Sequence, residues 1–549
     1  MNITARMKQT AFTAKAITKF IPALVHSRIL HFGDGLSATF GMPINLARYW
    51  FTTAREVEQG HLSVPHRIAL IDDDGQLTYR QLREESQTLA RYLIALNLGE
   101  IRLGIMARNG RGIVCPLTAK GYAGATVFLL NIGSSPEQLA GVIAENAINV
   151  LVIDDEFLER LPADRAGLQV ILGHLTGPHS GEVTLNEIVS HPDKTAETAL
   201  PRFPQHGPIV LMSSGTTGIP KGVVRPEPRL PLVLAGILQK IPWHSDMSIQ
   251  LTASIFHTWG WGMLNIALAA RGTVVTHRIF DPAQVLEDID THHLQAMISS
   301  PIFLKQLLEV PEHQDFDTSS LEFILSSGNA ISPTLIAAMH ERFGPILCNV
   351  YGSTELTLAS VASMQDLAAD PTVSGQVALG TELKILDERG HEVATGVPGR
   401  IFLRNSTTLT GYTNPDIPIT RAQGLVEMGD LGYLDEQGYL RVLGRVDDMI
   451  IVGGENVHPL SVTAILDQMP GLADAFAIGV DDPDAFHRIA VWVVREDNPT
   501  GAGLTAELIQ DFVRQHLAEH SIPRDVHFIE ELPRNATGKV VPRMLPGGD

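Results

Sequence analysis

Ser213-Ser214-Gly215-Thr216-Thr217-Gly218-Ile219-Pro220-Lys221-Gly222 is the stretch of this chain best equipped for phosphate chemistry. Its glycines let the backbone approach a ligand closely. Successive backbone N–H groups in such a turn form a concave anion site. The hydroxyls of Ser213, Ser214, Thr216 and Thr217 add donors and Lys221 adds a full positive charge, a set that suits a polyphosphate. Pro220 stands where a Walker A loop needs its second glycine, so that loop type is excluded. A plain Gly/Ser/Thr surface loop is the bland alternative. The apolar runs 209–212 and 223–224, read as flanking strands, and the lysine argue against it.

Further along, Asn349-Val350-Tyr351-Gly352-Ser353-Thr354-Glu355 joins an aromatic ring that can stack on adenine, a threonine for phosphate and a carboxylate for Mg²⁺. Ser254-Ile255-Phe256-His257-Thr258-Trp259-Gly260-Trp261-Gly262 reads as a loop entering an apolar helix over 263–270. Its rings suit the wall of an apolar pocket or, equally, simple core packing. The run 323–326 leads into the small-residue turn Gly328-Asn329-Ala330. Asp430, in Glu427-Met428-Gly429-Asp430, can accept hydrogen bonds from both hydroxyls of a ribose. Arg445 can reach ribose or phosphate, while the Arg445-Val446-Asp447-Asp448 cluster is by itself an ordinary solvated turn. Lys539, beside Gly538, is by itself an ordinary loop lysine.

Taken in this order, the motifs resemble the adenylate-forming superfamily of acyl- and aryl-CoA synthetases, peptide-synthetase adenylation domains and luciferases, over about residues 60–545. The resemblance implies ATP as substrate, with Ser213, Ser214, Gly215, Thr216, Thr217, Gly218 and Lys221 on its phosphates. Gly328, Asn329, Ala330, Tyr351 and Gly352 would lie at adenine, Thr354 at phosphate, and Asp430 and Arg445 at ribose. Glu355 and Thr216 would hold Mg²⁺, Asp447 would be the hinge of a mobile C-terminal domain, and Lys539 would enter the site for adenylation. Gly453 and Gly454, in Gly453-Gly454-Glu455-Asn456, would face the site during thioester formation with CoA. His257, with Trp259 or Trp261, would mark the junction of acyl and nucleotide pockets. The catalytic set is then Lys539, Glu355, His257 and Thr216. Departures are Asn329, where a second glycine or alanine is commoner, and Val462-Thr463, where many relatives carry Val-Glu.

The elements that must position these residues alternate: strands over 150–153 and 170–172, helices over 81–96 and 136–145. That alternation predicts α/β layers with much parallel sheet. The resemblance adds a large N-terminal domain (46–446) of α/β subdomains with a β-barrel-like part. A small mobile α+β C-terminal domain (447–549) would follow. The chain has 549 residues, 44% of them hydrophobic, enough for more than one core. A formal net charge of -20 argues against nucleic acid as a partner. Two cysteines in so long a chain read as reduced and cytoplasmic. No apolar run is long enough to span a bilayer.

Residues 1–45 form a basic leader, with Lys8, Lys15, Lys19 and His26 on one helical face and Ile17, Phe20, Ile21 and Leu24 on another. Pro22 is expected to kink or end that helix. Peripheral contact with the cytoplasmic face of a membrane is the preferred reading; a transit-like segment and a leader packed on the body stay open. A homodimer is admitted. The reaction implied is activation of a medium- or long-chain fatty acid through an acyl-adenylate to acyl-CoA, as in bacterial fatty-acid–CoA ligases. Alternatives are a fatty acyl-AMP ligase loading a carrier protein, an aryl or other acid–CoA ligase, and an inactive nucleotide binder.

Overall fold

Two sets of short apolar runs build two parallel sheets that share one core. The computed structural model describes residues 17–30, 35–165, 167–178, 181–213, 219–225, 227, 232–311, 316–446, 448–452, 455–482, 486–535 and 538–546. Strands Arg102–Met106, Thr126–Leu129, Val150–Ile153, Gln169–Leu172 and Ile209–Ser213 are almost wholly buried, as parallel strands covered on both faces must be. They pair in parallel within an eight-stranded sheet. Lys221–Arg225 and Gly411–Tyr412 extend one side of it antiparallel.

The nine-stranded sheet has Thr273–Val275, Ser248–Leu251, Ala296–Ser299, Phe323–Ser326 and Leu347–Tyr351 in parallel. Helices Thr53–Ser63, Tyr79–Ala95, Arg111–Ala123 and Thr258–Ala269 share a core with both sheets. Leu103, Ile105 and Val127 enter that core from one sheet and Ile249, Leu251 and Ile298 from the other. Each such side chain, fully withdrawn from water, contributes about 1.5–3 kcal/mol. Pro282–His292, Pro301–Glu309 and Pro333–Phe343 cover the outer face of the nine-stranded sheet. Pro136–Glu145 covers that of the eight-stranded one.

Local chemistry sets the helix starts. Thr78 and Gln81 form a reciprocal capping box, so the helix expected over 81–96 begins at Tyr79. Ser135 and Gln138 do the same for Pro136–Glu145. The segment expected as loop before 263 is instead the first turn of Thr258–Ala269. Gly260 makes this possible, because a Cβ there would stand 2.3 Å from the carbonyl oxygen of Ser254.

Glu382–Leu386, Gly399–Arg404, Leu425–Leu434, Arg421–Ala422 and Leu440–Arg445 form a five-stranded antiparallel sheet. It occupies the place expected to be barrel-like, and among the described residues its ladder does not close. A fourth sheet draws only on residues after 449, with Leu472–Asp482 and Phe486–Arg495 as its long central pair. Val462, Val491, Ile509 and Val513 make its separate core.

Of the leader, 17–26 is helical and runs on through Pro22, at the cost of one backbone hydrogen bond rather than an end to the helix. Phe20 is 2% exposed against Leu232 and Ala235, so part of the leader packs on the body. Arg6, Lys8 and Lys15 lie outside the described residues.

Candidate functional site

The carboxyl ends of neighbouring parallel strands bring the chemistry together, the usual place for a ligand in an open α/β sheet. Ser213 and Lys221 face each other across the antiparallel pair Ile209–Ser213 and Lys221–Arg225, so the phosphate-loop residues are tied at both ends. Ser214, Gly215, Thr216, Thr217 and Gly218 lie outside the described residues. The Nζ of Lys221 stands 3.2 Å from the Glu355 carboxylate. It also donates to the Tyr412 hydroxyl at 3.1 Å and sits over that ring. The same hydroxyl donates to Glu355 at 3.2 Å. Burial lowers the lysine's pKa, but Glu355 and Tyr412 outweigh it and raise it overall.

Glu355 follows Leu347–Tyr351 by a turn that only glycine permits: a Cβ on Gly352 would stand 1.8 Å from the Thr357 carbonyl oxygen. Thr354 lies in that turn, half-buried. Gly328, at φ 98°, opens the neighbouring turn with Asn329 and Ala330. That turn leaves Phe323–Ser326, whose Ser326 pairs with Asn349.

Tyr351 donates its hydroxyl proton to the carboxylate of Asp430. Arg445 lies directly across the strand pair from Asp430 and donates to it at 3.3 Å. Burial raises the Asp430 pKa, against the pull of Tyr351 and Arg445. An aromatic ring, a buried carboxylate and a guanidinium thus stand together, a group fit to hold a nucleoside.

His257 caps Thr258–Ala269, its ring 4.3 Å from that of Phe256. Its Nε2 is buried without a hydrogen-bond partner among the described residues. Burial, then the nearby charge of Lys539, pulls its pKa down to about 4, so the ring is neutral near pH 7. Lys539 reaches this place from the fourth sheet's side of the molecule. Lys539 is exposed as a residue, yet desolvation by the surrounding protein lowers its pKa, helped by Arg445 and opposed by Asp430 and Glu355.

The loop carrying Lys539 is docked. Gly538, at φ 79°, leaves no room for a Cβ, which would stand 2.3 Å from Ile302. Arg534 donates to the Gly538 carbonyl at 2.6 Å and to Asp474 at 2.7 Å. Lys305 donates to the carbonyl of Ala473. Asp447, Gly453 and Gly454 lie outside the described residues.

The two tryptophans separate. The indole N–H of Trp259 donates to the Ser299 carbonyl at 2.9 Å, which fixes it to the sheet. Trp261 lies one turn beyond His257 and faces the guanidinium of Arg225 at 5.6 Å. Sequence reasoning missed Tyr412 and Arg225. A single tyrosine in the polar run Thr410-Gly411-Tyr412-Thr413 was the available signal for the first, and an arginine in an apolar strand for the second.

Glu355 suits Mg²⁺ through its donor chemistry: one hard carboxylate beside a phosphate loop. Among the described residues no group of three or more His, Cys, Asp or Glu could hold a metal. A hard cation here would therefore complete its shell from the nucleotide, with Thr216 as the expected second protein ligand. Such a cation neutralises developing phosphate charge.

The family model described as AMP-binding enzyme matches residues 58–413, and that described as AMP-binding enzyme C-terminal domain matches residues 461–539. The chain is 28% identical to indoleacetate–CoA ligase of Aromatoleum aromaticum over 488 residues, 87% of this chain and 94% of that one. It is 27% identical to medium-chain fatty-acid–CoA ligase of Escherichia coli over 519 residues, 90% and 89% of the two chains. The solved structure of ATP-bound MatB from Rhodopseudomonas palustris superposes with a TM-score of 0.78 at 25% identity, covering 89% of this chain and 97% of that one.

Proposed function

The chain belongs to the AMP-binding enzyme family, and from that premise we propose that it is an ATP-dependent acid–CoA ligase working through an acyl-adenylate. The observation that carries this reading is the position of Lys539. It comes from the loop docked by Gly538 and lies within electrostatic reach of His257, Glu355, Asp430 and Arg445. In the first half-reaction a substrate carboxylate oxygen attacks the α-phosphorus of ATP. A new P–O bond forms and pyrophosphate leaves. Two anions must be brought together, so positioning and charge neutralisation do most of the work. Lys539 bridges carboxylate and phosphate oxygens, Lys221 holds the departing phosphates, and Asp430 with Tyr351 and Arg445 fixes the nucleoside. Neutral His257 lines the meeting point without adding charge.

In the second half-reaction the thiol of CoA attacks the acyl carbon and AMP leaves. The C-terminal domain, taken as 447–549, turns about Asp447, withdraws Lys539 and brings Gly453 and Gly454 inward, a gating motion.

The acid has an apolar body seated against Trp261. A medium- or long-chain fatty acid is one candidate, supported by the medium-chain fatty-acid–CoA ligase among the relatives. A ring-bearing acid is the other, supported by indoleacetate–CoA ligase among the relatives. Peripheral membrane contact is supported by Leu36, Phe40 and Ile44, which share one face of Leu36–Tyr49 and are exposed at 77%, 67% and 56%. Among the described residues no helix is long and apolar enough to cross a membrane.

The test is a panel of carboxylic acids with ATP, with and without CoA, read by pyrophosphate, AMP and thioester. The proposal expects pyrophosphate with particular acids and thioester when CoA is added. Pyrophosphate without thioester would move the acceptor to a carrier protein. No pyrophosphate with any acid would overturn the reading.

A further inference from the structure

Arg225 ends the strand Lys221–Arg225 and is 3% exposed. A buried guanidinium ordinarily uses its donors in full, because an unpaired buried charge is costly. Here only Nη2 is used: it donates to the Thr357 hydroxyl and, at 3.4 Å, to the Thr407 carbonyl. Nε and Nη1 are both buried with no hydrogen-bond partner among the described residues.

No carboxylate satisfies them. Glu227, two residues on, gives one oxygen to an ion pair with Lys120 in which both side chains are 2% exposed, and its Oε2 makes no hydrogen bond to Arg225 or to any other described residue. Glu355 is taken by Lys221 and Tyr412. Burial, opposed by the charges of Glu227 and Glu355, pulls the Arg225 pKa down to about 10, and the group remains a cation near neutral pH. Its location is as telling as its lack of partners. The guanidinium carbon stands 5.6 Å from the ring of Trp261, and Trp261 donates its backbone N–H to the His257 carbonyl at 2.9 Å, one helical turn away. A turn spans about 5.4 Å. An acid with its reacting carboxylate between His257 and Lys539, and its body along Trp261, therefore has its distal end at Arg225.

We propose that Arg225 is a specificity-determining residue, one of whose two free donors, Nε or Nη1, donates to an acceptor oxygen, carboxylate or keto, at the distal end of a compact acid substrate. This rests on the acid-activating reading above and narrows it. A saturated alkyl tail leaves both donors unmet, whereas an oxygen at the distal end of the acid meets one of them with a charge-assisted hydrogen bond. The indole of Trp261 covers the body of the acid between the two polar ends.

The purified full-length enzyme is assayed for pyrophosphate release with phenylacetate, 4-acetylphenylacetate and 4-carboxymethylbenzoate, alongside octanoate. The keto and carboxylate arms separate a neutral from a charged acceptor. The wild type is expected to favour at least one oxygen-bearing acid over phenylacetate by tenfold or more in kcat/KM, since a hydrogen bond to a charged group discriminates on about that scale. Arg225→Met is expected to bring that ratio close to one, chiefly through KM, and Arg225→Lys to restore part of it for the carboxylate. A ratio between two acids on one preparation is insensitive to the fraction folded. If Arg225→Met is insoluble, Arg225→Gln is read by the same ratio. An unchanged ratio in the variant, or a wild type that prefers phenylacetate or octanoate, overturns the proposal while leaving acid activation intact. No pyrophosphate with any acid defeats the activating reading itself and this inference with it.

Discussion

Lys221, on a strand of the eight-stranded sheet, and Glu355, in the turn after a strand of the nine-stranded one, stand 3.2 Å apart and share the hydroxyl of Tyr412. The phosphate-side cation is thereby held in place before any nucleotide arrives. Part of the entropy of ordering a flexible lysine is met in the fold.

Tyr412→Phe removes that hydroxyl and leaves the ring under the lysine. A lost hydrogen bond to a charged group costs about 1.5–3 kcal/mol. The expected outcome is a KM for ATP raised about tenfold or more, with the KM for the acid much less affected, measured by ATP–pyrophosphate exchange. An unchanged KM for ATP would mean that the hydroxyl does not hold Lys221 where the phosphates bind.

The tryptophans have different parts. Trp261→Ala is expected to reorder the preference among acids. Trp259→Phe loses its hydrogen bond to the Ser299 carbonyl and should cost about 1 kcal/mol of stability with the order of acids preserved. Steady-state kinetics over the panel and thermal melts check both. A reordering by Trp259→Phe and none by Trp261→Ala would reverse the assignment.

His277 ties the turn between strands Ile68–Asp72 and Gly75–Thr78 to helix Pro282–His292. Its Nε2 lies 2.7 Å from Asp288 and its Nδ1 pairs with Asp73. The Asp288 hydrogen bond, opposed by burial and aided by Asp73, raises its pKa from 6.5 to about 9. A raised folded pKa means that the imidazolium stabilises the fold fully below about pH 6.5, and that this contribution is lost as pH rises through about 9. Urea midpoints should therefore fall between those values, by an amount equivalent to about 2 kcal/mol. His277→Gln should flatten that fall, and a variant with the same slope as the wild type would rule the pair out as its source.

Much of this architecture was legible because its signals are local. The helix over 136–145 and the strands over 150–153 and 170–172 stand where the patterns place them. Tyr351, Asp430 and Arg445 were named from their motifs and do meet. Tyr412 and Arg225 were not named, because their partners are far off in sequence. Tyr412 reaches Lys221 only through the strand pair that sets it opposite Val223. Arg225 meets Thr357 and Thr407, 132 and 182 residues further along the chain, with no shared pattern. The helix start at Thr258 was misplaced because Gly260 read as loop, when its missing Cβ serves a close approach within the fold.

The central claim is that Lys539 serves the first half-reaction from the docked C-terminal loop, and Lys539→Ala tests it most directly. Pyrophosphate release from ATP and acid is predicted to fall by several orders of magnitude, while thioester formation from supplied acyl-adenylate and CoA continues at close to the wild-type rate. Equal loss of both half-reactions, or adenylation that survives the substitution, would contradict it.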